Sequence, residues 1–408
     1  MANKIIKKAT NITLWIFTGF VLFFLTVYFL LHFSFAQTWV LNRISSYLSS
    51  VLHTQVEIRK VNISFPRSFV LEGIKVNDLH GNRLLFAESL KISAGKINFT
   101  NKDILLKEIL FTDADFNLRT YLGEEHDNMN FIIDFFSSND TTPSPSRIQF
   151  KNLQFINCSF SYLNENMTKK DRGVDVNDLK LTGISGKLND FKSANDSLIV
   201  SVTNFTMKDK SGFILKDFNS DIRMTPKMLA LKNLIIETDN SKINSDVELR
   251  FSSFDDFDDF NTRVNLDVNL KPSTVSFTDA AMFDDKLSGI DKSFSIAGKI
   301  KGMVSALKIR QLVFEYNQDT KLEGNINING LPDLQSAYMD IKINNFQSST
   351  HDLETIPFSF KEDKKNFLTL SENIRQFGKF SFKGSFTGFY NDFVAYGNLN
   401  TSLGFAST

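Results

Sequence analysis

Residues 56–95 read VEIRKVNISFPRSFVLEGIKVNDLHGNRLLFAESLKISAG. Apolar and polar side chains alternate: Val56 and Ile58, then Val61, Ile63 and Phe65, then Phe69 and Leu71, Ile74 and Val76, Leu90 and Ile92. A period of two places alternate residues on opposite faces of a strand. Pro66-Arg67 and His80-Gly81-Asn82 carry turn chemistry. Short alternating runs joined by tight turns describe an antiparallel meander with one apolar and one polar face.

The pattern continues through Leu198, Val200 and Val202, through Leu234 and Ile236, through Val264 to Leu270, and on to Phe380 and Phe382. About 25 candidate strands can be marked. Where the parity slips, as around Asn152 and Asn157, a bulge or turn must absorb the shift. Three stretches break the period and are expected to hold short helices: Glu124–Ser137, Ser273–Leu287 and Ser371–Phe377. Residues 138–146, SNDTTPSPS, read as a loop and a boundary.

Upstream the period is helical. Residues 12–36 contain no Lys, Arg, Asp or Glu and give roughly 37 Å of helix, enough to cross a bilayer core. Lys4, Lys7 and Lys8 precede this segment, which favours a cytoplasmic N-terminus for residues 1–11. Trp15, Phe20, Phe24, Tyr28 and Trp39 are the aromatic anchor candidates. Residues 37–53 place Val40, Ile44, Tyr47, Leu48, Val51 and Leu52 on one side, an amphipathic helix. A first β segment over 54–137 and a continuing one over 147–408 follow. The expected class is all-β with an N-terminal transmembrane helix: an elongated, curled antiparallel sheet, a repeating β-groove with a few short helices.

The composition removes several function classes. The 46 basic residues balance the 46 acidic ones, against a nucleic-acid binder. The single cysteine, Cys158, excludes an internal disulfide and paired-cysteine metal sites. His32, His53, His80, His126 and His351 are scattered, and no phosphate loop, dinucleotide motif or nucleophile elbow occurs. Asp255-Asp256-Phe257-Asp258-Asp259 lacks the glycine and terminal Glu of a calcium loop and reads as solvated. No enzyme, cofactor or metal is expected.

What remains is the apolar face. The chain carries 42 Phe against 2 Trp and 8 Tyr, a large apolar surface. Each methylene of a lipid tail exposed to water costs about 0.8 kcal/mol. A continuous apolar trough lowers that cost along a whole path. The candidate trough residues are Phe65, Phe69, Leu71, Phe150, Leu153, Phe155, Phe160, Leu198, Val200, Phe213, Leu234, Ile236, Leu249, Phe251, Ile326, Ile341, Phe380 and Phe382. A conventional sandwich would bury the same alternation, so periodicity leaves both arrangements open.

The order of features resembles the AsmA-like family, in its TamB branch, the inner-membrane component of the translocation and assembly module. The resemblance rests on the anchor, on Val56-Glu57-Ile58 to Val61-Asn62-Ile63, and on Leu71-Glu72-Gly73-Ile74-Lys75-Val76-Asn77-Asp78. Downstream it rests on Lys210-Ser211-Gly212-Phe213, Gly298-Lys299-Ile300-Lys301-Gly302, Gly330-Leu331-Pro332-Asp333 and Gly384-Ser385-Phe386-Thr387-Gly388. It implies a groove anchored in the inner membrane, with its bulk in the periplasm, that carries phospholipids toward the outer membrane. It also implies a link to outer-membrane barrel assembly, which leaves an assembly factor or an anchored scaffold as alternatives. Proteins of that branch are longer and end in a domain that meets an outer-membrane barrel; a chain ending at Leu403-Gly404-Phe405-Ala406-Ser407-Thr408 is expected to be an N-terminal part.

Overall fold

The computed structural model describes residues 34–64, 68–98, 103–132, 148–194, 197–355, 357–361, 364–367 and 369–408. The anchor candidates Trp15, Phe20, Phe24 and Tyr28, the trough candidate Phe65 and the 138–146 loop lie outside these residues. Among the described residues no helix is long and apolar enough to cross a membrane. The chain divides after Met167 into two compact units.

In the first unit a helix, α1 (Ser34–Leu52), runs over the expected amphipathic segment and includes Trp39. It packs on β1 (Val56–Ser64), with Leu41 buried. The Val56 amide donates to Ser49 Oγ at 3.0 Å, closing the helix onto the strand. Strands β2 (Ser68–Asn77), β3 (Arg83–Asn98) and β4 (Asp103–Thr120) continue as an antiparallel meander. The expected uniform antiparallel order fails at β5 (Ile148–Asn164), which pairs parallel to β4. A parallel neighbour needs a crossover rather than a hairpin, and the chain between Thr120 and Ile148 supplies it. Only 130–132 of the expected Glu124–Ser137 helix is described as helical, with a bend at 125–126 and a turn at 128–129.

The second unit is an antiparallel meander from β6 (Asp178–Ala194) through β7 (Ser197–Asp209), β8 (Ile214–Thr225), β9 (Met228–Thr238), β10 (Lys242–Arg250), β11 (Asn265–Ser276), β12 (Ser293–Met303), β13 (Ala306–Tyr316), β14 (Thr320–Asn329) and β15 (Tyr338–Ser349). A small hairpin, β16 (Pro357–Lys361) with β17 (Lys364–Phe367), interrupts it. β18 (Lys379–Phe389) then pairs with β15, and β19 (Asp392–Thr401) and β20 (Gly404–Ser407) complete the order.

The helices shrink relative to expectation. Ser273–Ser276 is still strand, and the helical structure of that region is reduced to the turn Phe277–Ala280 and a 3-10 turn, Asp285–Leu287. Glu372–Arg375 forms the expected third helix, and Thr350–Thr355 adds one not foreseen. The acidic run is solvated at Asp255, Asp258 and Asp259, but it is wound into a 3-10 turn, Phe254–Asp259, with Asp256 buried and accepting from the Ser252 amide at 2.6 Å.

Bulges recur in mid-strand. Asn157 adopts φ 52 beside Asp113 at φ 48, and their side chains meet at 2.5 Å, as the parity slip required. Asn152 instead pairs in the ladder with Glu108. In the second unit Asn204, Asn233 and Gln311 take the left-handed conformation, which costs least for short polar side chains such as Asn. Each amide is met by a side-chain carbonyl or carboxylate on the next strand: Asn204 N by Asn219 Oδ1 at 2.8 Å, Asn233 N by Asp246 Oδ1 at 2.8 Å, Gln311 N by Asn325 Oδ1 at 3.0 Å.

Candidate functional site

Directly paired residues point to the same face of a sheet, so the registers can be followed from strand to strand. In the second unit one row runs Val200, Ile222, Leu231, Val247, Val268, Ile300, Ile309, Ile326, Ile341, Phe386, Ala395, one residue per strand, with no polar member. A second row, two residues along, runs Leu198, Met224, Leu229, Leu249, Leu266, Gly302, Leu307, Ile328, Met339, Gly388, Phe393. Beyond the line of bulges lie Phe205, Phe218, Ile236 and Ile243. On the same side, Ile296, Phe314, Leu322, Phe346, Phe382, Leu399 and Ala406 form another row.

The row displaced by one residue is polar over its first strands. Glu248, Asp267, Lys301, Lys308, Asn327, Asp340 and Thr387 follow one another across β10 to β18. Lys301 pairs with Asp267 at 2.9 Å and Asn327 donates to Asp340 at 2.9 Å. The sheet is therefore two-faced at single-residue resolution.

The first unit repeats the arrangement. Val61, Leu71, Leu90, Phe111 and Phe155 form one apolar row, and Val56, Val76, Leu85, Phe116 and Phe160 another. Phe69, Ile92, Ile109 and Leu153 form a third. Phe111 stacks on Phe155 at 6.0 Å between centroids. Cys158 is buried, and burial pushes its thiol pKa up, away from reactivity.

Among the described residues no second sheet packs on these faces within either unit. Every extensive strand–strand contact joins hydrogen-bonded neighbours. Aromatic contacts between strands join adjacent strands, as in Phe294–Phe314 at 5.5 Å and Phe386–Phe393 at 4.5 Å. Of the phenylalanines whose side chains are described, only Phe251 is buried. Phenylalanine ranks among the most buried residue types of compact domains, so this distribution departs from a sealed core.

The candidate residues thus divide. Phe69, Leu71, Leu153, Phe155, Phe160, Leu198, Val200, Leu249, Ile326, Ile341 and Phe382 fall in the rows above, with Ile236 beside Phe218. Leu234 sits buried opposite Ser245 at the bulge line. Phe150 pairs with Leu106 on β4, and Phe380 touches Phe346 edge-on at 5.6 Å. Two belong elsewhere. Phe251 packs with Phe254 and Phe257 at the β10–β11 end, and Phe213 meets Phe283 in the connection after Phe277–Ala280. Alternation missed Ile300, Ile309, Phe346 and Phe386; the signal was present in Lys299-Ile300-Lys301, an apolar residue between two lysines.

Polar chemistry gathers at strand ends. Asp78 accepts from the His80 and Asn82 amides, from Tyr121 Oη at 2.7 Å and from Asn128 Nδ2 at 2.8 Å. Burial raises its pKa, and these four donors outweigh it, leaving the carboxyl below its usual range. Its partners are all internal, which marks a structural knot. Among the described residues no group of His, Cys, Asp and Glu is placed to hold a metal.

Sheet and faces together define a class: single-layer β-sheet units with one apolar face left open. Comparison with protein-family models, with curated proteins and with solved structures finds no match to this chain.

Proposed function

We propose that the apolar face carries the hydrocarbon tails of phospholipids, in the manner implied by the resemblance to the AsmA-like family and its TamB branch. The supporting observation is the row from Val200 to Ala395, apolar in every strand it crosses and without a covering sheet among the described residues of its unit. At about 4.8 Å per strand the spacing of such a row suits hydrocarbon laid across the strands, and each methylene it shelters is worth about 0.8 kcal/mol. Residues 12–36 would anchor the chain in the inner membrane, with the sheets in the periplasm. α1 leads from that segment directly into β1.

The test is a photoactivatable benzophenone side chain at Ile326, with Ser201 on the polar face of β7 as its control, irradiated in cells and read by mass spectrometry. Phospholipid adducts at Ile326 and not at Ser201 support lipid carriage. Equal labelling at both, or none at either, overturns it. If Ile326→Glu leaves lipid transfer unchanged while outer-membrane barrel assembly fails, the assembly-factor alternative replaces lipid carriage.

A further inference from the structure

The polar face of β12–β19 is not evenly polar. Lys299 on β12 lies directly opposite Arg310 on β13, and Lys301 lies opposite Lys308. Like charges in direct cross-strand register oppose folding, so two such pairs side by side need another reason. Lys342 on β15 extends the cluster past Asn325, and all five cations are exposed. Arg310 is spread over the Asn327 side chain at 2.6 Å and the Ile326 carbonyl at 3.2 Å. Among the described residues only Lys301 of the five has a carboxylate partner, Asp267. The other carboxylates of this face on β12–β19 are Asp340, held by Asn327, Glu315 and Glu323, both paired with Lys321, and Asp392, opposite Phe389 at the start of β19.

The same rows end in exposed apolar side chains. Lys342 leads through Ser385 to Tyr396, 63 % exposed, and Asp340 leads through Thr387 to Val394, 51 % exposed. Tyr338 and Phe389 meet edge-on at 5.4 Å beside them. Cations, four of the five without a carboxylate partner among the described residues, next to exposed aromatic and aliphatic groups on one face match an anionic membrane surface: the cations meet lipid phosphates and the rings enter the interface. An acidic protein would use the cations and leave Val394 and Tyr396 in water.

We propose that the polar face of β12–β19 docks on an anionic bilayer surface, a contact separate from lipid carriage on the opposite face and independent of it. The test uses the full chain with Cys158→Ser and Ser385→Cys, carrying a nitroxide at position 385, and a second label at Thr182→Cys on β6 as control. Vesicles of phosphatidylcholine alone are compared with vesicles containing about 30 % phosphatidylglycerol. The label at 385 is expected to become immobilised and oxygen-accessible on phosphatidylglycerol vesicles only, and the label at 182 to stay mobile. Lys299→Gln, Lys308→Gln and Lys342→Gln together should weaken that response about a hundredfold, and raising salt to roughly 0.5 M should weaken it further. Circular dichroism checks that the triple variant folds; if it does not, Lys308→Gln alone is read, with a loss of about fivefold. No change at 385, an equal change on phosphatidylcholine, indifference to the substitutions, or a response to soluble polyglutamate and not to vesicles would each overturn the proposal.

Discussion

The backbone amide of Asn233 points at the carboxylate of Asp246 on the neighbouring strand, 2.8 Å away. Asn233 is left-handed, at φ 52, and its amide has left the strand ladder. Asp246 supplies the missing acceptor, so the bulge and the carboxylate form one device. Asp246→Ala should lower the stability of this sheet by about 1 kcal/mol, since the exposed amide can still reach water. Asp246→Asn keeps an acceptor and should cost less. Asn233→Gly should be nearly neutral, whereas Asn233→Val should cost about 1–2 kcal/mol for a branched residue held left-handed. Denaturant unfolding of the four variants checks the order.

Acid should act through the same carboxylates. The Asn233 amide, ahead of the opposing effect of burial, holds Asp246 below its usual range, with Lys271 assisting. Asp221 is lowered by Ser201 and Asn233. For Asp279 burial pushes upward, and donors from Ser241, Thr238 and Asn240 more than reverse it. A depressed folded pKa gives stability that is fully present above the unfolded value, near 3.9, and is lost as pH falls through the folded pKa. The melting temperature should hold from neutrality to about pH 5 and decline below about pH 4. Asp279→Asn should reduce that decline; an unchanged acid limb in this variant would count against the assignment.

An open face predicts mild costs for truncation. A sealed phenylalanine loses about 3–5 kcal/mol on replacement by alanine. Phe386 and Phe346 are only partly buried, so Phe386→Ala and Phe346→Ala should each cost about 1–2 kcal/mol, while reducing lipid adducts at Ile326. Losses at the sealed level in unfolding experiments would mean that a covering layer exists.

The Asp78 knot should behave in the opposite way. Asp78 is 2 % exposed and takes four donors from three segments. Tyr121→Phe should cost about 1 kcal/mol, and Asp78→Ala, which strands all four donors, about 3 kcal/mol or more. Lipid labelling should follow only the loss of folded protein.

Much of this was legible in the residues. The alternation of Phe69 with Leu71, or Leu198 with Val200, reports one buried or sheltered face, and the registers place those residues in common rows. Asn157 at a parity slip was readable because a bulge there suits a left-handed Asn. The parallel β4–β5 pair was not legible, since strand direction is set by the connection and not by the strand's own pattern. Phe213 and Phe251 looked like face residues because an aromatic at a strand end carries the same local signal as one in mid-strand; only the Phe283 and Phe257 contacts separate them. Asp256 was misread because the folding of Phe254–Asp259 back on Ser252 depends on a single carboxylate inside an acidic run.

Because each strand from β7 to β14 pairs with its two sequence neighbours, length in this unit is a free variable. Excising two consecutive strands, such as β13 and β14, rejoins β12 to β15 with direction and facing preserved, whereas excising one reverses the direction of everything downstream. Gain or loss should therefore come in hairpin-sized steps, and a ruler built this way can be lengthened by duplication without redesigning its ends.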